Sequence, residues 1–170
     1  MTQFSPNAVR IQPITEEAFI PFGHVFRPTG SNGRRNNFGV IQNLRPGAPI
    51  NLAQVEGDDR SQASEFELDM LERHVFSSQS FFPQDVGRYL VVVCESGDGG
   101  LPELDRLKAF SVPGDVGVSY LPGVWHAGIS VLQGGRNFLM VVHEDGSEAD
   151  CEFLSVPPLR LLLEPVPANQ

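Results

Sequence analysis

The chain has 170 residues, a formal net charge of −9, 41% hydrophobic and 19% charged residues, which fits one soluble domain able to bury a core. The acidic balance argues against nucleic acid and anionic membrane, because both select basic surfaces. Seventeen Gly and fourteen Pro suit short strands joined by turns better than long helices.

Met1 to Arg10 carry no basic leader followed by an apolar stretch, so no secretory signal is expected. The longest apolar runs, such as Leu90 to Cys94, are too short to span a bilayer. Cys94 sits in that run and reads as a buried core thiol; Cys151 follows Glu148 and Asp150 near the end. Two unpatterned cysteines in a leaderless chain lead to an expectation of reduced thiols and a cytoplasmic location. Val9-Arg10-Ile11 reads as a short strand. Thr15 reads as an N-cap, with Glu16 and Glu17 in the first turn of a brief helix that Pro21 ends. Gly23 opens the next strand, His24-Val25-Phe26. Arg27 to Asn37 (RPTGSNGRRNN) is an exposed loop by its turn formers. Its Arg34 and Arg35 are either a solvated pair or an anion-gripping lid.

From Glu65 the pattern is strand after strand. Glu65 to Met70 alternates polar and apolar, as a half-buried strand does. Tyr89 to Cys94 is a β-rich run. Gly97 to Gly100 is a turn, and Pro102 to Lys108 has room for one or two helical turns. Ala109 to Val112, Val116 to Tyr120, Val124 to Leu132 and Asn137 to Val142 complete the strand series. Gln133-Gly134-Gly135-Arg136 reads as a hairpin loop between the last two. The tail, Pro157 to Gln170, is Pro-rich with an apolar Leu161-Leu162-Leu163, suited to packing across the barrel or a partner subunit. With no repeat, linker or long helix, residues 1–170 are expected to form a single domain.

Two segments concentrate the polar chemistry. In Leu71-Glu72-Arg73-His74, strand alternation points Glu72 and His74 one way and Arg73 the other. A turn at Ser77-Ser78 would return Gln79 beside them on the adjoining strand. In Pro113-Gly114-Asp115 to Trp125-His126, a glycine turn enters a strand, Pro122-Gly123 reverses it, and His126 starts the return. Shared burial of four polar side chains favours one site, since isolated buried polar groups are costly. Lys108 and Tyr120 are further inward candidates, on strands next to these segments. A surface lysine with its stem laid on apolar surface is the other reading of Lys108. Arg73 is expected to support packing or a salt bridge, Trp125 to anchor the barrel or an interface, and His24 and His143 to be structural.

These segments resemble the two signature motifs of the cupin superfamily, a His-x-His followed by Glu, then Pro-Gly-Asp and a final His. Carried over by position, Glu72 and His74 take the paired His places, Gln79 the Glu place and His126 the last. The resemblance implies an all-β, double-stranded β-helix (jelly-roll) barrel with a few short helices, whose interior holds these four residues. In typical cupins the four converge on a divalent metal. One carboxylate, two imidazoles and an amide are compatible with Ni, Mn, Zn or Fe; Gln is a poor ligand, so a site without metal is the other reading. No organic cofactor is implied.

The strings LERHVFSSQSFFP, YLVVV, DRLKAF, GVSYLPGVWH and NFLMVV, then a later Cys, look like the ureidoglycolate lyase family of cupins. They cover about half of the chain, and IQPITEEAFIPFGHVF resembles that family's opening. The chain departs from the pattern at Leu121 and Ala127, where the family carries His, at His143-Glu144, where it carries Asp-Arg, and around Asn36-Asn37. The resemblance implies release of glyoxylate and urea from ureidoglycolate in allantoin and purine nitrogen catabolism, by a homodimer acting on a small anion. Proton transfer would fall to Glu72 or His126 and substrate carboxylate binding to Lys108. Another hydroxy- or keto-acid cupin enzyme and a non-catalytic carboxylate-binding cupin are the alternatives, because this fold hosts many functions.

Overall fold

Strands dominate the computed structural model of the protein, which describes residues 8–163. They are β1 (Ala8–Pro13), β2 (Gly23–Phe26), β3 (Ile50–Glu56), β4 (Asp58–Asp59), β5 (Glu65–Arg73), β6 (Gln79–Pro83) and β7 (Val86–Cys94). There follow β8 (Lys108–Pro113), β9 (Gly117–Tyr120), β10 (Trp125–His126), β11 (Ser130–Gly134), β12 (Asn137–His143) and β13 (Glu152–Leu162). One helix, α1 (Glu16–Phe19), starts where Thr15 Oγ1 accepts the Ala18 N–H at 3.1 Å. A short 3-10 turn at Leu104–Arg106 occupies the expected helical stretch before β8.

The fold is all-β, as expected of a cupin jelly roll. Six strands, β10-β5-β13-β1-β8-β7, close into a ring because β10 pairs with both β5 and β7. β11 and β4 extend the sheet beyond β7, and a second sheet, β2-β9-β6-β12-β3, packs against the ring. Successive residues of a strand face opposite ways, so β7 feeds two cores. Tyr89, Val91 and Val93 join Phe110, Val118 and Phe138 between the sheets. Leu90, Val92 and Cys94 join Leu71, Ala109 and Leu161 inside the ring. Burial on both faces is why this strand reads as a continuous apolar run.

Three expectations change. β3 went unanticipated because Ile50 and Leu52 face solvent while Ala53 and Val55 face inward, which erases the alternation signal. Gln133 to Arg136 is not a hairpin loop: β11 pairs with β7 and β4, β12 with β3 and β6, and the chain crosses between sheets there. Turn residues report a reversal of direction but not which layer the chain enters. The stretch Val124 to Leu132 is two strands, not one. The tail from Pro157 continues β13, antiparallel to β5 and parallel to β1, with a register break between Ser155 and Leu159 at the Pro157-Pro158 pair. Residues 1–7 and 164–170 of the two terminal readings lie outside the described residues.

Trp125 is a barrel anchor. It is 3% exposed, donates Nε1–H to the Gly100 carbonyl at 2.9 Å, and lies under the Arg73 guanidinium at 4.5 Å from the ring centre. Arg73, opposite in phase to Glu72 as expected, also bonds Glu152 at 2.7 Å. Trp125→Ala is expected to cost about 3–5 kcal/mol, by loss of buried area and the cavity left behind. Urea unfolding of the two proteins checks it.

Candidate active site and metal centre

The two polar segments meet because a turn of one bonds the backbone of the other. Pro122-Gly123 is closed by the Val124 N–H on the Leu121 carbonyl at 3.2 Å, and Gly123 has φ +82, a conformation that favours glycine. With the turn so shaped, the Gly123 N–H donates to the His74 carbonyl at 2.8 Å. His126 then stands directly opposite Glu72 across the β10–β5 ladder. At the other end of the second segment, a Cβ on Gly114 would meet the Val86 carbonyl oxygen at 1.8 Å, so the Pro113-Gly114-Asp115 turn accepts no side chain there.

His126 Nε2 lies 3.3 Å from Glu72 Oε1, and one ligand atom each of Glu72, His74 and His126 fall within 4.8 Å of one another. The His126 ring stacks between Tyr120, at 4.3 Å between centres, and His74, at 6.0 Å. Gln79 is opposite Tyr120 on β6, and its Nε2 contacts Met140 Sδ at 3.3 Å. Glu72, His74 and His126 therefore share one place with the Tyr120 ring, and Gln79 is set across the ladder from Tyr120. That place lies between the ring and the second sheet rather than inside the closed ring, because His126 and its neighbour Val93 face that core.

Four buried polar atoms here lack a hydrogen-bond partner: His74 Nδ1, His126 Nε2, Gln79 Oε1 and Tyr120 Oη. Such groups are rare in native interiors and call for a ligand, ion or water. The histidines are already oriented. His126 Nδ1 is 2.9 Å from the Val124 carbonyl, and His74 is in hydrogen-bond contact with the Asp150 backbone. His126 Nε2 faces the Glu72 carboxylate, a contact that a proton on Nε2 or a cation shared with the carboxylate would complete. The Glu72, His74 and His126 donors thus fit a divalent metal.

The electrostatics agree. Burial alone would raise the Glu72 carboxyl, but His126 at contact distance and the charge of His74 outweigh it and hold the group below its ordinary value. Burial, then repulsion from His126, lowers His74 and favours its neutral, ligating form. Burial, reinforced by Glu72, raises Tyr120, so its phenol keeps its proton.

Lys108 is on the same face, but not in contact with the cluster through any bond of its own. It pairs with Val93, which pairs with His126, placing it two strand spacings away, roughly 10 Å. Its Nζ lies 5.8 Å from the Phe22 ring centre. Arg35 bonds Glu16 at 3.3 Å at the surface, which gives the solvated reading of that loop. His24 and His143 are structural, bonding Asn37 at 3.0 Å and the Ala48 carbonyl at 3.2 Å.

Two supporting residues escaped the sequence reading. The Asp150 carboxylate accepts from Arg45 and from the Gly146 N–H, at 2.6 Å for the latter, fixing the loop whose backbone meets His74. Arg45 and Asp150 are 105 positions apart, so no local pattern pairs them.

The sequence profile of the family described as ureidoglycolate lyase matches residues 6–162. A ureidoglycolate lyase of Brucella anthropi is 38% identical over 149 residues, covering 84% of this chain and 86% of its own. One from Pseudomonas aeruginosa strain LESB58 is 36% identical, covering 94% and 97%. The chain belongs to the ureidoglycolate lyase family. A further relative of that name, from Pseudomonas syringae pv. syringae, is 34% identical over 92% of this chain and 95% of its own. Among solved structures, a dTDP sugar isomerase from Desulfovibrio desulfuricans G20 superposes with a TM-score of 0.43 at 15% identity, over 80% of this chain and 82% of its own. Leu121 precedes the Pro122-Gly123 turn and is partly exposed, Ala127 packs in the ring core next to His126, and Glu144 bonds Asn51 at 2.6 Å.

Cys151 reports on this charge cluster. Burial, then the negative charge of Glu72, pushes its thiol up to about 12. In a Cys94→Ser background, Glu72→Gln is expected to speed iodoacetamide alkylation of Cys151 at mildly alkaline pH, because removing the carboxylate charge raises the thiolate fraction. An unchanged alkylation rate would mean that Glu72 is not ionised beside it.

Proposed function

We infer that the protein is a ureidoglycolate lyase that releases glyoxylate and urea, in the service of purine nitrogen catabolism. The observation that carries this reading is half-buried Glu72 set against buried His74 and His126, whose ring nitrogens lack partners, in a chain of this family. The substrate bears a carboxylate and a hydroxyl on the carbon bonded to a urea nitrogen. Its cleavage turns the C–O bond into C=O, sends the C–N electron pair to nitrogen, and moves the hydroxyl proton to that nitrogen. No redox partner or attacking water enters the balance.

We assign Glu72 as the group that carries the proton. Its Oε1 faces His126, and its second oxygen is left to take the hydroxyl proton and return it to the leaving nitrogen. Holding the carboxyl low keeps it ionised and able to accept. Tyr120, its phenol kept protonated, is a hydrogen-bond donor for substrate oxygen. Glu72, His74, His126 and Gln79 would hold Ni, Mn, Zn or Fe, which when bound would act as a Lewis acid on substrate oxygens. Lys108 supplies the cation for the carboxylate, supported by its place along the same face as His126.

A homodimer in the cytoplasm completes the proposal. Met70 and Phe153, 45% and 66% exposed on the adjoining strands β5 and β13, are apolar surface available to a second copy. Among the described residues no helix is long and apolar enough to cross a membrane.

The decisive experiment is glyoxylate release from ureidoglycolate by purified protein, with elemental analysis of the same sample. The His74→Ala, His126→Ala double variant is expected to lose metal and at least about a thousandfold in turnover, as befits a lost metal centre or proton-transfer site; normal turnover would sink the assignment. Bound metal without turnover would point to another hydroxy- or keto-acid cupin. Carboxylate binding with neither would point to a binding protein. Lys108→Met is expected to raise KM about tenfold with kcat little changed, the signature of lost uniform binding.

A further inference from the structure

The ring has a second polar feature, far along β7 from β10 and on its other face. We propose that this end of the ring is a binding site for a small organic anion, one carboxylate or phosphate group with a short apolar body. Alternation along β7 places Arg88 on the face of Leu90 and Val92, which line the ring interior. Ser111 pairs with Leu90 from β8, and Pro13 of β1 pairs with Ser111. β10 closes the ring only near Val93 and Cys94. At the Arg88 end the mouth is instead crossed by the segment Arg60–Ala63, tied down by the Arg60 N–H on the Val131 carbonyl at 2.8 Å.

Between them lies a cavity of about 190 Å³ whose lining includes Arg60, Arg88, Ser61 and Ser111 with Leu132 and Leu163. The mouth of a barrel, mostly apolar with a few convergent polar groups, is a recurrent ligand position. Two facts make this one specific. Arg60 Nε and Arg88 Nε are both buried without a hydrogen-bond partner. An arginine donor left unpaired in such a place is costly, and a guanidinium is shaped to hold a carboxylate or phosphate. The nearest acid is insufficient: Asp58 is 3.7 Å from the Arg60 NH2 group, not from either Nε, and is largely exposed. Stacking of Arg60 on Phe66, at 5.1 Å from the ring centre, holds one guanidinium plane in position before any ligand arrives.

Two arginines at one end of an apolar ring, in a chain with a net charge of −9, make a local anion trap. The adjoining Ile11, Ala63, Leu132 and Leu163 favour an anion with an apolar part over a bare inorganic one. The site is separate from the Glu72 cluster, since β7 stands between the two cores.

The test is calorimetric titration of the full chain with butyrate, inorganic phosphate and, as a neutral control, butanol. Butyrate is expected to bind saturably and raise Tm, phosphate to compete with it, and butanol to do neither. Arg88→Gln and, independently, Arg60→Gln are expected to weaken butyrate about tenfold, the loss of one charge-assisted hydrogen bond. Arg60 is partly exposed and its variant serves if Arg88→Gln does not fold. Absence of saturable binding by either anion would overturn the proposal, as would binding that both variants leave intact.

Discussion

Closure of the ring depends on β10, a strand of two residues. Trp125 and His126 pair with β7 on one side, and His126 pairs with β5 on the other. Alternation sends the two side chains to opposite faces, so the indole enters the ring core and the imidazole enters the polar cluster. The contact that closes the barrel is therefore the contact that sets His126 against Glu72. Stability and site geometry are coupled through one pair of residues. The Pro122-Gly123 turn immediately before it adds a second tie, through the His74 carbonyl.

A cluster of buried, mutually facing polar atoms opposes folding unless something satisfies it. The chain answers part of this itself: Val124 and the Asp150 backbone each engage one histidine, and Arg45 steadies the Asp150 loop. What is left over is a set of buried atoms without a partner, the imidazole nitrogens beside Glu72, the Gln79 oxygen and the Tyr120 hydroxyl. Function is concentrated where the fold leaves polar capacity unused.

β7 organises the molecule in a second way. Its odd-numbered residues Tyr89, Val91 and Val93 serve the core that carries the Glu72 cluster, while Leu90 and Val92 serve the ring interior that ends at Arg88. One strand buried on both faces thus divides two polar regions with different chemistry, one built from carboxylate and imidazole, the other from guanidinium.

Much of this was legible in the residues. Alternation in Glu65 to Met70, the Thr15 cap, the Pro-Gly turns and the phase of Glu72, His74 and Arg73 are local properties, decided by backbone sterics within a few positions. The barrel class and the meeting of Glu72, His74 and His126 followed from two short motifs. Sheet membership was not local: Gln133 to Arg136 carries hairpin residues, yet β11 and β12 part there for different sheets, because long-range pairing with β7 and β6 decides their layer. Nor could β3 be read, since its apolar residues lie on both faces.

The cluster at Glu72, His74 and His126 shows the same division. Residue types and strand phase determined that these side chains could share a face. Only the tertiary structure decided which core receives them, that Lys108 stands two strands off, and that Asp150 and Arg45 support His74. Those outcomes depend on ring closure and on contacts between residues far apart in the chain, which no spacing along the sequence encodes.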